Sequence, residues 1–149
     1  MRFDMMHEWQ RDDYTVSTDR ARLQLDVIHG FLTGSYWAAG IPRETVERSI
    51  QHSLCYGVYR GGEQVGFGRL VTDFATFAYV ADVFILDAHR GRGLARWMAR
   101  CMVDTPELQG LRRWLLATRD AHAVYESVGF ETVTEPSRFM QILNRDPYR

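Results

Sequence analysis

The sequence predicts an α/β sandwich built on a mixed sheet, and three observations carry that reading. Three strand-like runs follow one another in "LCYGVYRGGEQVGFGRLVT" and "TFAYVADVFIL", the hydrophobic period then changes from two to that of a helix after Leu86, and helical and strand-like segments alternate to the end. With 149 residues, 46% of them hydrophobic, and no break in composition, the chain is read as one globular domain over residues 1–149.

The first dozen residues are polar with scattered aromatics and lead into a short strand at Tyr14 to Ser17. Asp19 can cap a helix from Arg20 to about Thr33, because Leu23, Val27, Ile28 and Phe31 recur at the helical spacing. "GSYWAAGIP" breaks that pattern, and Pro42, followed by Glu44 and Glu47, opens a second helix that carries Val46 and Ile50 and ends near Ser53. Of the three strands that follow, the first two join across Gly61 and Gly62 and the second pair across "DFA", an antiparallel meander. The run Phe77 to Leu86 is apolar on both alternating faces, so it is expected at the centre of the sheet.

Leu94, Trp97, Met98, Cys101 and Met102 then mark one face of a helix that ends before Pro106. "RRWLLAT" reads as a strand. Ala121, Val124, Tyr125 and Val128 form the inner face of a short helix stopped by Gly129, and "RFMQIL" is expected to supply a last strand.

A formal charge of −1 removes the usual electrostatic argument for nucleic acid or an anionic membrane as partner. Cys55 and Cys101 show no CxxC spacing, and the five histidines form no ligand-spaced pair, so no metal is expected. Without a signal-peptide pattern or a long apolar run, the expected location is cytoplasmic.

The most informative stretch is "ADVFILDAHRGRGLARWM", where an apolar strand passes through a basic glycine turn into a helix. The first N–H groups of a helix lack intrahelical partners and the helix dipole adds positive potential, so such a turn is an anion site. Gly91 and Gly93 allow close backbone approach, and Arg90, Arg92, Arg96 and Arg100 add cationic groups, an arrangement that suits a pyrophosphate. A Walker loop needs Lys-Ser or Lys-Thr where this turn continues Leu94-Ala95. The dinucleotide fingerprint needs a glycine where Arg96 stands and an acidic residue about 20 positions on, where the chain reads "LRRW".

What remains is Arg-x-x-Gly-x-Ala over Arg90 to Ala95, and downstream "TRDAHAVYESVGF" with Ala121, Tyr125, Gly129 and Phe130 at the spacing Ala-x-x-x-Tyr-x-x-x-Gly-Phe. With these two motifs the chain resembles the GNAT superfamily of acetyl-CoA-dependent N-acetyltransferases, and the order of its elements is similar to that fold over nearly its whole length. Asp87 and Thr118 depart from the family pattern, standing where a proline and an asparagine are common.

The resemblance implies a sheet splayed open at its middle, beyond Ile85, with acetyl-CoA as co-substrate. The N–H groups of Gly91, Arg92, Gly93, Leu94 and Ala95 would hold its pyrophosphate, with Arg90 beside them, and Phe84, Ile85 and Leu86 would pair with the pantetheine arm as an added strand. Thr118 would make a polar contact to that arm or to the substrate. Tyr125 would be the general acid for the departing thiolate, with a purely structural core tyrosine as the alternative. Asp82 interrupts an apolar run and is the first candidate base, an Asp held in structural hydrogen bonds being the alternative. His122, Asp120 (more readily an N-cap), His89 and a water relay follow it. The carbonyl oxygen would meet a backbone N–H near Ile85.

Tyr36 and Trp37, in the loop between the first two helices, could shape an amine pocket or pack beneath the loop, and Arg69 with Asp73 could read the substrate or form a hairpin ion pair. The acceptor is expected to be an amine of a small molecule or peptide, attacked directly, since Cys101 falls on a buried helix face. A non-catalytic acyl-CoA-binding module is the competing reading, and a homodimer is compatible with either.

Overall fold

The computed structural model describes residues 5–148 and contains a six-stranded sheet and four α-helices. In chain order these are β1 (Glu8–Arg11), β2 (Tyr14–Ser17), α1 (Leu25–Leu32), α2 (Arg43–Gln51), β3 (Leu54–Arg60), β4 (Glu63–Thr72), β5 (Phe77–Ile85), α3 (Leu94–Val103), β6 (Arg113–Leu116) and α4 (His122–Glu126). The strands lie in the order β1-β2-β3-β4-β5-β6, antiparallel throughout except for the β5–β6 pair, which is parallel and connected through α3. No described helix is long and apolar enough to cross a membrane.

The sheet divides two apolar clusters. Leu54, Tyr56 and Val58 of β3 meet Met98 and Met102 of α3 on one face, and Cys55, Phe67 and Phe84 meet Ile28, Leu32 and Val46 of α1 and α2 on the other. Helices on both faces explain why β3 is buried at six successive positions. Tyr56 places its hydroxyl 2.6 Å from Thr105 Oγ1, which itself donates to the Cys101 carbonyl, so Tyr56 is the donor of that pair. Tyr59, three residues on, buries a hydroxyl with no partner among the described residues. A buried unpaired hydroxyl costs about 1–3 kcal/mol. Tyr59→Phe should therefore raise the unfolding free energy by about 1 kcal/mol in a urea titration, and a loss of stability would show that the hydroxyl contributes a favourable contact.

Four expectations change. The helix expected from Arg20 to Thr33 is broken: Asp19 caps only a 3-10 turn at Arg20–Arg22, accepting from the Ala21 N–H, and α1 starts at Leu25. The break frees Arg20 to donate to the carbonyls of Ile50 (2.8 Å) and Ser53 (3.1 Å), closing the end of α2. Second, β1 forms where only a polar leader was expected, because Trp9 stacks on Tyr56 at 6.3 Å between ring centroids. Third, "RFMQIL" forms no strand: after a 3-10 turn at Pro136–Arg138 the chain runs on unpaired. Fourth, β5 is therefore one strand from the edge and not central, with β6 its outer neighbour.

Candidate functional site

The site begins with an irregularity in β5. Phe67 pairs with Phe84 and Arg69 with Ala81, so Asp82 and Val83 together face Gly68 in a β-bulge. Asp82 takes a φ of 56°, uncommon for a residue with a side chain. Gly68 leaves room there: a Cβ would stand 2.6 Å from Met102 Cε, 3.1 Å from Met98 Cε and 3.3 Å from Val83 Cγ2, and the methionine tips would have to shift.

The bulged Asp82 lies at the centre of a clasp. Its Oδ2 accepts from Arg69 Nε at 2.7 Å and its Oδ1 from Trp37 Nε1 at 2.9 Å, while Arg69 Nη1 donates to Ser53 Oγ at 3.1 Å. The Arg69 and Asp82 side chains are only 19% and 11% exposed, which makes their pairing obligatory.

Pairing between β5 and β6 ends at Val80 and Leu116. The splay thus opens after Val80, earlier than the expected point beyond Ile85. Beyond it lies a cleft of about 1400 Å³, bordered by residues 79–85 of β5, the glycine turn, residues 116–121, α4 and the α1–α2 loop.

At one end of the cleft the turn presents α3. Gly91 (φ 81°) and Gly93 (φ 73°) occupy the left-handed region, where a side chain costs about 1–2 kcal/mol. No side chain caps α3 and its first turn holds no acid, so its leading N–H groups point onward without an internal partner. The turn is braced from two sides. Arg90 folds back, donating from Nε to the Ile85 carbonyl at 2.9 Å and pairing with Asp87, and Arg11 of β1 donates to the Arg92 carbonyl at 2.8 Å while lying over Trp97.

Tyr125 is buried on α4 and borders the same cleft, with its ring against the edge of Phe130. Among the described residues no hydrogen bond engages its hydroxyl, and desolvation pushes the phenol up from 10 to about 12. It is protonated at neutral pH. Thr118 accepts the Ala121 N–H at 3.0 Å in the turn that leads into α4, and no side chain of the described residues caps that helix, the task expected of Asp120 included.

The α1–α2 loop bridges the cleft. Trp37 reaches Asp82, and Arg119 lies 3.9 Å over the Tyr36 ring, so the loop is tied to both sides of the splay. Beneath it Phe31 stacks on Phe84 at 4.1 Å.

The cleft gathers Tyr36, Trp37, Arg69, Asp82, Phe84, Ile85, Arg90, Gly91, Gly93, Leu94, Ala95, Thr118 and Tyr125. Arg92 and Leu86 do not border it: Arg92 supplies a carbonyl to Arg11, and the Leu86 N–H donates to the Val65 carbonyl of β4. Of the other acid–base candidates, His89 borders the cleft with Nδ1 2.9 Å from the Tyr14 hydroxyl, whereas His122 lines a separate hollow. Asp73 is no partner of Arg69; it accepts three backbone N–H groups and the Thr76 hydroxyl in the β4–β5 turn, which hold its carboxyl well below the usual range. Sequence reasoning missed Arg11, Arg119, Ser53 and Tyr148. Arg119 adjoins the second motif and could have been considered; the others act across elements far apart in the chain and carry no local signal.

The chain matches the family described as acetyltransferase (GNAT) over residues 3–130. A protein of Gibberella zeae named "putative acetyltransferase" is 36% identical over 151 residues, covering 85% of this chain and 84% of its own. The crystal structure of a "putative acetyltransferase belonging to the GNAT family" from Xanthomonas campestris superposes with a TM-score of 0.88 at 42% identity, over 93% of this chain and 99% of that one. A structure of a "predicted acetyltransferase with acetyl-CoA" from Clostridium acetobutylicum shares the fold alone, with a TM-score of 0.61 at 12% identity over 93% and 96% of the two chains.

Proposed function

The chain belongs to the GNAT acetyltransferase family, and from that premise we propose that it transfers an acetyl group from acetyl-CoA to a primary amine of a small molecule or peptide, by direct attack with both substrates bound. One observation supports this reading above the rest: a single cleft is bordered by an uncapped helix N-terminus, an unengaged buried phenol and a desolvated carboxylate.

Acetyl-CoA supplies an activated acyl group as its thioester. The N–H groups at the start of α3 bind the pyrophosphate, and Arg96, which borders the cleft, adds positive charge there. The β5 edge beyond Val80, with no described strand opposite it, offers extended backbone to the pantetheine arm near Phe84 and Ile85, the Ile85 carbonyl being already engaged by Arg90. Tyr125 donates its phenolic proton to the departing thiolate. Asp82 already accepts two hydrogen bonds, but a carboxylate can accept about four. It therefore keeps capacity to take the ammonium proton, directly or through water. Trp37 and Tyr36 enclose the amine end, and Arg69 holds Asp82 in place.

The test is calorimetric titration with acetyl-CoA, followed by a thiol-release assay across a panel of amines. Gly93→Val should weaken acetyl-CoA binding by at least about tenfold, because αL strain of about 1–2 kcal/mol moves the N–H groups off the anion. Equal affinity in a variant with an unchanged melting temperature would remove the turn from the binding site. Tight acetyl-CoA binding without thiol release for any amine would favour a binding module.

A further inference from the structure

The clasp closes on itself, which leaves the α1–α2 side of the cleft with little charge to offer a ligand. His89, Arg90 and Arg96 border the cleft at the glycine turn, and Arg119 lies over Tyr36 and 3.9 Å from Asp120. Among the described residues, the charged groups that remain on the α1–α2 side are Arg69 and Asp82, and they bind each other at 2.7 Å.

Rings and hydroxyls make up the rest of that side. Cys55, Arg69 and Ala81 pair across three strands, and Tyr79, two residues before Ala81, shares their face, the one that α1 and α2 cover. Thr45 and Ser49, four apart on α2, border the cleft from the helix. Trp37 commits its Nε1 to Asp82 and is still 41% exposed, so its ring stands in the cleft beside the carboxylate.

The closing element comes from the far end of the chain. After Pro136–Arg138 the backbone returns to the α1–α2 side, where the half-buried Tyr148 packs against the cluster that contains Ile41 and Phe84 and borders the cleft. Its Cβ and its carbonyl oxygen lie 3.9 Å from the point a Cβ on Gly40 would occupy, which places the ring against the α1–α2 loop.

We propose that this side of the cleft selects a monoamine with an uncharged aromatic body, and that Tyr148 is a specificity-determining residue for it. The inference rests on acetyl transfer as proposed above and names the class of its acceptor. The ammonium is drawn to Asp82, the one carboxylate there, and the body of the molecule meets the rings of Trp37, Tyr79 and Tyr148. A second ammonium or a carboxylate on the acceptor would leave water for a place without a partner, since Arg69 is already bound by Asp82. Diamines and amino acids are thus disfavoured for the same reason.

The experiment compares thiol release at saturating acetyl-CoA for two pairs of amines whose members differ by one charged group, 2-phenylethylamine with phenylalanine and butylamine with 1,4-diaminobutane. kcat/KM should be highest for 2-phenylethylamine and at least about tenfold lower for the more highly charged member of each pair. Tyr148→Ala should raise KM for 2-phenylethylamine about tenfold and for butylamine less than about twofold, with acetyl-CoA affinity unchanged in calorimetry. Tyr148→Phe, which keeps the ring, should keep the wild-type KM. A preference for phenylalanine or the diamine overturns the proposal and leaves acetyl transfer standing. So do turnover of other amines without 2-phenylethylamine, and equal KM shifts for the two monoamines in Tyr148→Ala, the mark of a merely structural tyrosine. Acetyl-CoA binding without thiol release from any amine overturns the proposal together with the acetyl-transfer reading.

Discussion

Replacing Tyr125 by Phe should lower kcat for acetyl transfer by about 100-fold and leave acetyl-CoA affinity within about twofold. The hydroxyl engages no protein group, so its removal breaks no internal bond and leaves ring packing against Phe130 intact. What is lost is the proton offered to the leaving sulfur. Burial lifts the phenol to about 12, so it stays protonated throughout the neutral range and its ionisation imposes no alkaline limit on the rate below that value. The linkage has the same sign: with the folded value above the unfolded one, its contribution to stability is complete below about pH 10 and is lost as the pH rises towards 12. Acyl donors with more acidic thiols need less protonation as they leave, and the defect should shrink with them. A variant that retains full kcat, or a defect that is constant across thiols, would exclude the proton-donor role.

Asp82→Ala should be the most destabilising change in the site, costing about 3 kcal/mol in urea unfolding, because it strands the largely buried Arg69 guanidinium. It also releases Trp37, and with it one of the two ties of the α1–α2 loop, so KM for the amine should rise while acetyl-CoA binding at the distant turn persists. Removing both charges, in Asp82→Leu with Arg69→Met, should restore most of the stability without restoring activity. If that pair acetylates amines as well as wild type does, Asp82 takes no part in proton removal. If Asp82→Ala costs less than about 1 kcal/mol, the clasp is a surface-type ion pair and not a buried one.

The parts of the site that were legible in the sequence are those whose cause is local. Two glycines two residues apart, followed by Leu94, Met98, Cys101 and Met102 at helical spacing, specify a left-handed turn into a helix within one short stretch. The β3–β4–β5 meander was legible for the same reason, through Gly61 and Gly62 and the Asp73 turn. The break before α1 was hidden because Leu23 continues the helical period; what competes with the helix is Arg20, whose partners lie 30 and 33 residues away. The stretch "RFMQIL" carries strand-forming residues yet forms no strand, because a strand needs an edge to pair with and propensity cannot say whether the fold offers one.

By itself the sequence determined the order of the meander, the left-handed glycine turn into α3, the Tyr125 helix and the family resemblance, because each rests on residues close together in the chain and on backbone conformations that few residues adopt. Only the tertiary structure decided how the singled-out polar residues combine. Asp82, Arg69 and Trp37 had been given separate roles as base, substrate reader and amine wall, yet they form one hydrogen-bonded unit drawn from β5, β4 and the α1–α2 loop. A bulge opposite Gly68 and a positive φ at Asp82 accompany that arrangement, at a point of the sheet covered by Met98 and Met102 of α3. That register and those contacts belong to the packed molecule, because the three residues come from elements far apart in the chain, which no run of residues read in order contains.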